Sequence, residues 1–137
     1  MIERDQAGPR VFIVAQTIPH AAQNYPTVGD YKTDENGCLT VKVSDMGNRD
    51  YEFLVAIHEL VEAYLCQKRG ITDEEITAFD IEFEAKRRPG DLSEPGDDRE
   101  APYGNEHNTA TAVERLMCAA LGVSWQDYER AVQRLSP

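Results

Sequence analysis

Asp50-Tyr51-Glu52-Phe53-Leu54-Val55-Ala56-Ile57-His58-Glu59-Leu60-Val61-Glu62-Ala63-Tyr64-Leu65-Cys66-Gln67-Lys68-Arg69-Gly70 organises the rest of the chain. Phe53, Ile57, Leu60, Val61 and Tyr64 recur at helical spacing, which predicts an amphipathic helix with these five residues as its apolar stripe. Asp50 reads as the N-cap, and Gly70 as the stop just past Arg69. Inside the helix stands His58-Glu59-Leu60-Val61-Glu62. His58 and Glu62 are four apart, so they share a face about 40° from each other, off the centre of the stripe. Glu59 lies about 100° round from His58 and about 60° from Glu62.

That is the spacing of the H-E-x-x-H zinc helix with Glu in place of the second His. In that motif the i and i+4 side chains converge on one ion. The Glu between them reaches the water on that ion as a general base without becoming a ligand. His58 and Glu62 are thus candidate metal ligands, and Glu59 is the candidate base.

On the N-terminal side, Val11–Ala15 is short, β-branched and bounded by Pro9 and Pro19, and reads as a buried strand. Residues 20–37 are rich in Pro, Gly, Asn and Asp and read as a loop, with a turn at Glu35-Asn36-Gly37. In Cys38–Ser44, Leu39, Val41 and Val43 alternate with Thr40 and Lys42, as expected of a half-solvated strand near a sheet edge. The two strands are expected to form an antiparallel ribbon or part of a small sheet.

On the C-terminal side, Thr72 and Glu75 make a capping box for a second helix, ending by Arg88 before Pro89-Gly90. Its buried face is Ile76, Phe79 and Phe83, and Asp80 falls inside that face. A carboxylate there is costly unless paired or bound to a cation. Asp80 is thus a candidate third ligand, or the partner of Arg87 or Arg115, with Glu84 placed to orient a ligand. Residues 89–105 hold three prolines and three glycines and read as a long acidic loop of functional length. A third helix, about Glu106 to Leu121, carries Val113, Leu116, Met117, Ala120 and Leu121 at helical spacing and stops at Gly122. His107 at its start is an alternative third ligand or a donor to a developing oxyanion, with Tyr103 as a second such donor. Glu106 is a weaker ligand candidate. Ser124 caps a last helix from Trp125 to about Leu135, whose Trp125 and Tyr128 close the core.

The whole 1–137 chain reads as a single α+β domain: two or three N-terminal strands beside the long helix, then two or three further helices. Its 25 acids against 14 bases give a net charge of −11, which argues against nucleic acid and anionic membrane as partners. Eleven acids against four bases fall between Asp73 and Glu100. Most of the loop acids, Asp91, Glu94, Asp97, Asp98 and Glu100, are expected to be solvated. No apolar run approaches a membrane span, and the N-terminus lacks a secretory layout. Cys38, Cys66 and Cys118 make no C-x-x-C and read as reduced thiols of a cytoplasmic protein. Cys66, one turn beyond Glu62, is expected to be a small buried thiol. His20 follows Pro19 in a loop and carries no assigned role.

Val55–Ala63 resembles the active helix of zincin-like metallopeptidases. Asp80 falls on the next helix, where gluzincin-type peptidases keep an acidic third ligand. The wider layout is similar to small phage and prophage proteins classed as metallopeptidases. It matches in the H-E-L-V-E-A segment, Ala78–Glu84, Glu94–Asp98 with Ala101-Pro102-Tyr103, and Glu106-His107, over roughly residues 50 to 128. The resemblance implies a minimal zincin fold, zinc as the ion, and a bacterial or phage-infected cytoplasm. Glu62 departs from the usual His, and the harder donor set admits Mn²⁺ or Mg²⁺. The expected activity is metal-dependent hydrolysis of a peptide or protein substrate, with the Cys38–Ser44 strand pairing to the extended chain. Two other readings stand beside it. One is a non-enzymatic zincin-shaped binding module. The other is a Mg²⁺-dependent nucleotide pyrophosphohydrolase, whose all-α relatives share only Glu59 and Glu62 and whose E-x-x-D element is missing between Asp73 and Glu84.

Overall fold

The computed structural model describes residues 11–135. Its fold is α+β: strands β1 (Ile13–Ile18), β2 (Gly29–Thr33) and β3 (Leu39–Ser44), then helices α1 (Arg49–Lys68), α2 (Asp73–Ala85), α3 (Gly104–Ala120) and α4 (Trp125–Leu135). The sheet order is β1-β3-β2, with β1 parallel and β2 antiparallel to β3. Three expectations change here. β1 starts two residues later than expected and is exposed rather than buried, because α1 lies mainly over β2 and β3. Part of the expected loop, Gly29–Thr33, is a strand, joined to β3 by the turn in which Gly37 N–H donates to Asp34 C=O. β3 lies at the centre of the sheet, not its edge, and its partner β1 runs parallel. Both edges of β3 are therefore spent on the sheet, and no substrate chain can pair with it.

The alternation in β3 is real. Leu39, Val41 and Val43 are buried and join Leu54, Val55 and Ala63 of α1, Cys118 of α3 and Tyr128 of α4 in the main core. Trp125 packs against this cluster. A second cluster, Cys66, Ile76 and Tyr103 with Phe79, holds α2 against the other end of α1. All three cysteines are buried.

α1 has the expected length, but Asn48 is its cap, accepting from Tyr51 N–H at 3.1 Å. Asp50 sits instead in the first turn, where a negative charge favours the helix dipole. The buried face is Leu54, Val55, Glu62, Ala63 and Cys66, while Phe53 and Tyr64 are 44% and 52% exposed. The fully buried positions thus centre about 170° round the helix from the hydrophobicity stripe. That rotation brings Glu62 inside. α3 is rotated by less, about 80°: Glu106, His107, Ala110, Glu114 and Cys118 are buried, and Leu116 is exposed. α2 has the expected capping box but ends at Ala85, and only Ile76 is fully buried. Gly70 and Gly122, both at positive φ, follow α1 and α3 as expected. The long connection from α2 to α3 contains one 3₁₀ turn, Pro95–Asp97. No helix among the described residues is long and apolar enough to cross a membrane.

Candidate metal centre

α1 and α3 pack side by side and bring His58 and His107 together, ring centroids 4.8 Å apart and edge to face. Both imidazoles are nearly enclosed, with side chains 13% and 5% exposed. Each nitrogen of each ring meets a carboxylate. His58 Nδ1 lies 2.8 Å from Glu114 Oε1, and its Nε2 lies 3.1 Å from Glu62 Oε2. His107 Nδ1 lies 2.9 Å from the same Glu62 oxygen. His107 Nε2 lies 3.1 Å from Asp97 Oδ1 and 3.4 Å from Glu94 Oε2. Two tyrosines hold the inner carboxylates. Tyr31 O–H donates to Glu62 Oε1 at 3.0 Å, and Tyr128 O–H donates to Glu114 Oε2.

His58, Glu94 and His107 each offer a ligand atom, and all three atoms lie within 4.8 Å of one another. This group could hold a metal ion. Of the expected ligands, His58, Glu62 and His107 converge. Asp80 does not join them: it accepts from Tyr103 O–H and forms a second polar pair beside the centre. Tyr103 is buried with its ring 6.4 Å from that of His107, so its hydroxyl is engaged and not open to a substrate oxyanion. Neither arginine suggested for Asp80 pairs with it. Arg87 binds Glu84, which is exposed and so orients no ligand, and Arg115 lies over Trp125. Glu106 is held by Arg69 at 2.5 Å. Cys66 is the expected buried thiol, 4.0 Å from Tyr31 O–H, and His20 bonds Ser44 Oγ.

The sequence reading missed Tyr31, Glu94, Asp97, Glu114 and Tyr128. As expected of loop charge, Glu94 and Asp97 stay more than half exposed, at 57% and 52%. The 3₁₀ turn brings both to His107, and Gly96 lies flat on the imidazole, where no Cβ fits. Glu114 could have been found. It stands seven residues after His107, two turns along the same face, with Ala110 between them and Cys118 beyond.

The electrostatics follow from this crowding. Burial alone would raise the Glu62 carboxyl, but hydrogen bonds from His107 and His58 hold it down at about 2. Burial opposes charge on the imidazoles too. The carboxylates outweigh it, pushing His107 up to about 10 and His58 well above its usual value. Glu59 behaves oppositely: burial, reinforced by the charge of Glu62, pushes it up to about 8. It makes no hydrogen bond among the described residues. It packs on the backbone of β2, where a Cβ at Gly29 would stand 2.6 Å from its Oε1. Burial also lifts Asp80 to about 6. Burial pushes Glu94 up as well. All these groups line one groove of about 1470 Å³, bordered by Tyr25, Asp30, Ile81 and Leu92. No family model, curated protein or solved structure matches the chain.

Proposed function

We propose that this chain is a metal-dependent hydrolase of zincin-like type acting on peptide bonds. The observation that carries the reading is Glu59: a half-buried carboxylate raised to about 8, without a hydrogen bond, lining the same groove as His58, His107 and Glu94. A general base works best with a pKa near the working pH and an unengaged lone pair. His58 and His107 would hold the cation with Glu94, a two-nitrogen, one-oxygen set that suits Zn²⁺ and admits Mn²⁺. When bound, the cation supplies Lewis acidity toward a carbonyl and acidifies water. Glu59 takes the proton of the attacking water and passes it to the leaving amine. The sheet edge that borders the groove is β2, so an extended substrate would pair with Gly29–Lys32 and present its peptide bond beside Glu59.

One observation favours a non-enzymatic module instead: every ring nitrogen of the centre already faces a carboxylate, so the arrangement satisfies itself without an ion. Nothing comparable favours a nucleotide pyrophosphohydrolase. Glu84 faces solvent, and three strands are foreign to an all-α fold.

The test is metal titration followed by a peptide-library cleavage assay. One Zn²⁺ or Mn²⁺ per chain should bind, and an excess of 100 times Kd should add about 2.7 kcal/mol of stability. Glu59→Gln should keep the metal and lose turnover. Absence of metal binding and of any melting shift would favour the non-enzymatic module, and cleavage by Glu59→Gln would remove Glu59 as the base.

A further inference from the structure

β1 is the sheet edge opposite to β2, and so opposite to the groove that β2 borders. β3 bonds one side of it, and among the described residues no strand lies on the other. Phe12 C=O accepts from Leu39 N–H, and Ile18 C=O accepts from Asp45 N–H. Successive residues of a strand turn their backbone groups to alternate sides. The even-numbered residues of β1 therefore face β3, while Ile13, Ala15 and Thr17 turn their N–H and C=O groups outward.

The side chains of the same three residues are uncovered too. They stand in register with Leu39, Val41 and Val43, and residues paired in this way share a face of the sheet. On β3 that face is core; on β1 it meets water, with Ile13 59% exposed against 1% for Leu39. The apolar face of the sheet thus runs on past the helices that cover it. Val11, Phe12 and Val14 add further exposed apolar surface. An edge of this kind is a template for another strand, and proteins ordinarily blunt it with charge, proline or a bulge. β2, the other edge, carries Asp30 and Lys32. Residues 11–18 hold no charge and no proline, and the pairing of β1 with β3 runs without a bulge.

We propose that β1 is a self-association surface, through which two copies of this chain pair antiparallel into a six-stranded sheet of order β2-β3-β1-β1-β3-β2. Charge selects the occupant. Two chains of net charge −11 repel each other, and β2, β3 and all four α-helices bear charged side chains. β1 is the strand that brings neutral surface against neutral surface. Antiparallel neighbours are related by a two-fold axis normal to the sheet, so the contact is closed and stops at two copies. The helices of both copies then lie on one face, and the two uncovered stripes lie side by side between them. Both grooves stay at the outer edges of the joint sheet, open to their substrates.

Sedimentation of the full chain from about 5 to 200 µM tests this, because a single strand pair is a small interface of modest affinity. A monomer–dimer equilibrium is expected, shifting several-fold toward dimer at high salt as the repulsion between the two chains is screened. Amide exchange of Ile13, Ala15 and Thr17 should slow as concentration rises. Ala15→Pro removes an outward N–H that no bond to β3 uses, a place where an edge strand accepts proline. It should abolish the dimer and leave the circular dichroism of the chain unchanged. Should that variant fail to fold, Ile13→Lys supplies the readout on a side chain already in water. It sets a charge into the seam and should raise the dissociation constant about tenfold or more. A monomer at every concentration and salt would overturn the proposal. So would a dimer that persists in either folded variant, or assemblies larger than two copies.

Discussion

The backbone of Gly96 lies directly on the imidazole of His107, so close that a single added carbon at its Cα would overlap the ring. The ring is buried and fixed at both nitrogens, and it cannot step aside. Gly96→Ala should therefore push the 3₁₀ turn outward and separate Glu94 and Asp97 from His107. The expected cost is about 1–3 kcal/mol, read as a lower Tm, with at least a tenfold loss of metal affinity. An unchanged affinity would mean that the turn is not part of the centre.

Asp80 and Glu94 divide the expectation about the third ligand. Asp80→Asn removes a charge that Tyr103 holds, and metal affinity should change by no more than about twofold, as for an outlying group of modest coupling. Glu94→Gln should cost tenfold or more. Isothermal titration of the two variants decides the matter, and the reverse ranking would return the ligand to α2.

The metal-free protein should be most stable at about pH 4–5, where the loss from Glu59 on raising the pH meets the loss from Glu62 on lowering it. His107 is raised to about 10 from an ordinary 6.5, so its contribution is full below 6.5 and is lost as pH rises through 10. Glu59 is raised to about 8 from 4.5, so its ionisation destabilises the fold as pH rises across that interval. Glu62 is lowered to about 2, so its contribution is present above 4.5 and is lost as pH falls toward 2. Tm should drop by on the order of 5 °C or more between pH 6 and pH 9. A flat profile over that range would contradict the arrangement of charges in the groove. With metal bound the trend should reverse, because cation and proton compete for the same nitrogens.

Leu54 and Phe53 are adjacent in sequence and opposite in burial, 0% against 44% exposed. Leu54→Ala should cost about 2–5 kcal/mol, and Phe53→Ala less than about 1 kcal/mol. Urea denaturation of both reads the rotation of α1 directly. If Phe53→Ala proved the costlier change, the face of α1 that carries Glu62 would point elsewhere.

That rotation marks where the sequence stopped being legible. The helix and its ends could be read from local signals: Gly70, the Thr72–Glu75 box and Gly122 act over a few residues. The orientation of α1 could not, because its hydrophobic residues nearly encircle it and leave the face to be chosen by packing. Glu62, with polar partners waiting on β2 and α3, is buried at the expense of Phe53 and Tyr64. β2 was hidden for a different reason. Gly29-Asp30-Tyr31-Lys32 has little strand propensity, and pairing with β3 imposes the conformation. His58, Glu62 and His107 were readable from spacing and chain order. Glu94 and Asp97 were not, since a loop's reach depends on where Gly96 allows it to settle.

Tyr31 and Tyr128 reach the two histidines from the second strand and the last helix. The centre thus draws on segments spanning nearly a hundred residues of chain, and no fragment of the domain contains it. An ion with affinity for this constellation has none to offer a chain whose ends have not yet met. An ion held only by the assembled centre would therefore add its binding free energy to the stability of the folded chain, and its affinity would track how completely the molecule is assembled.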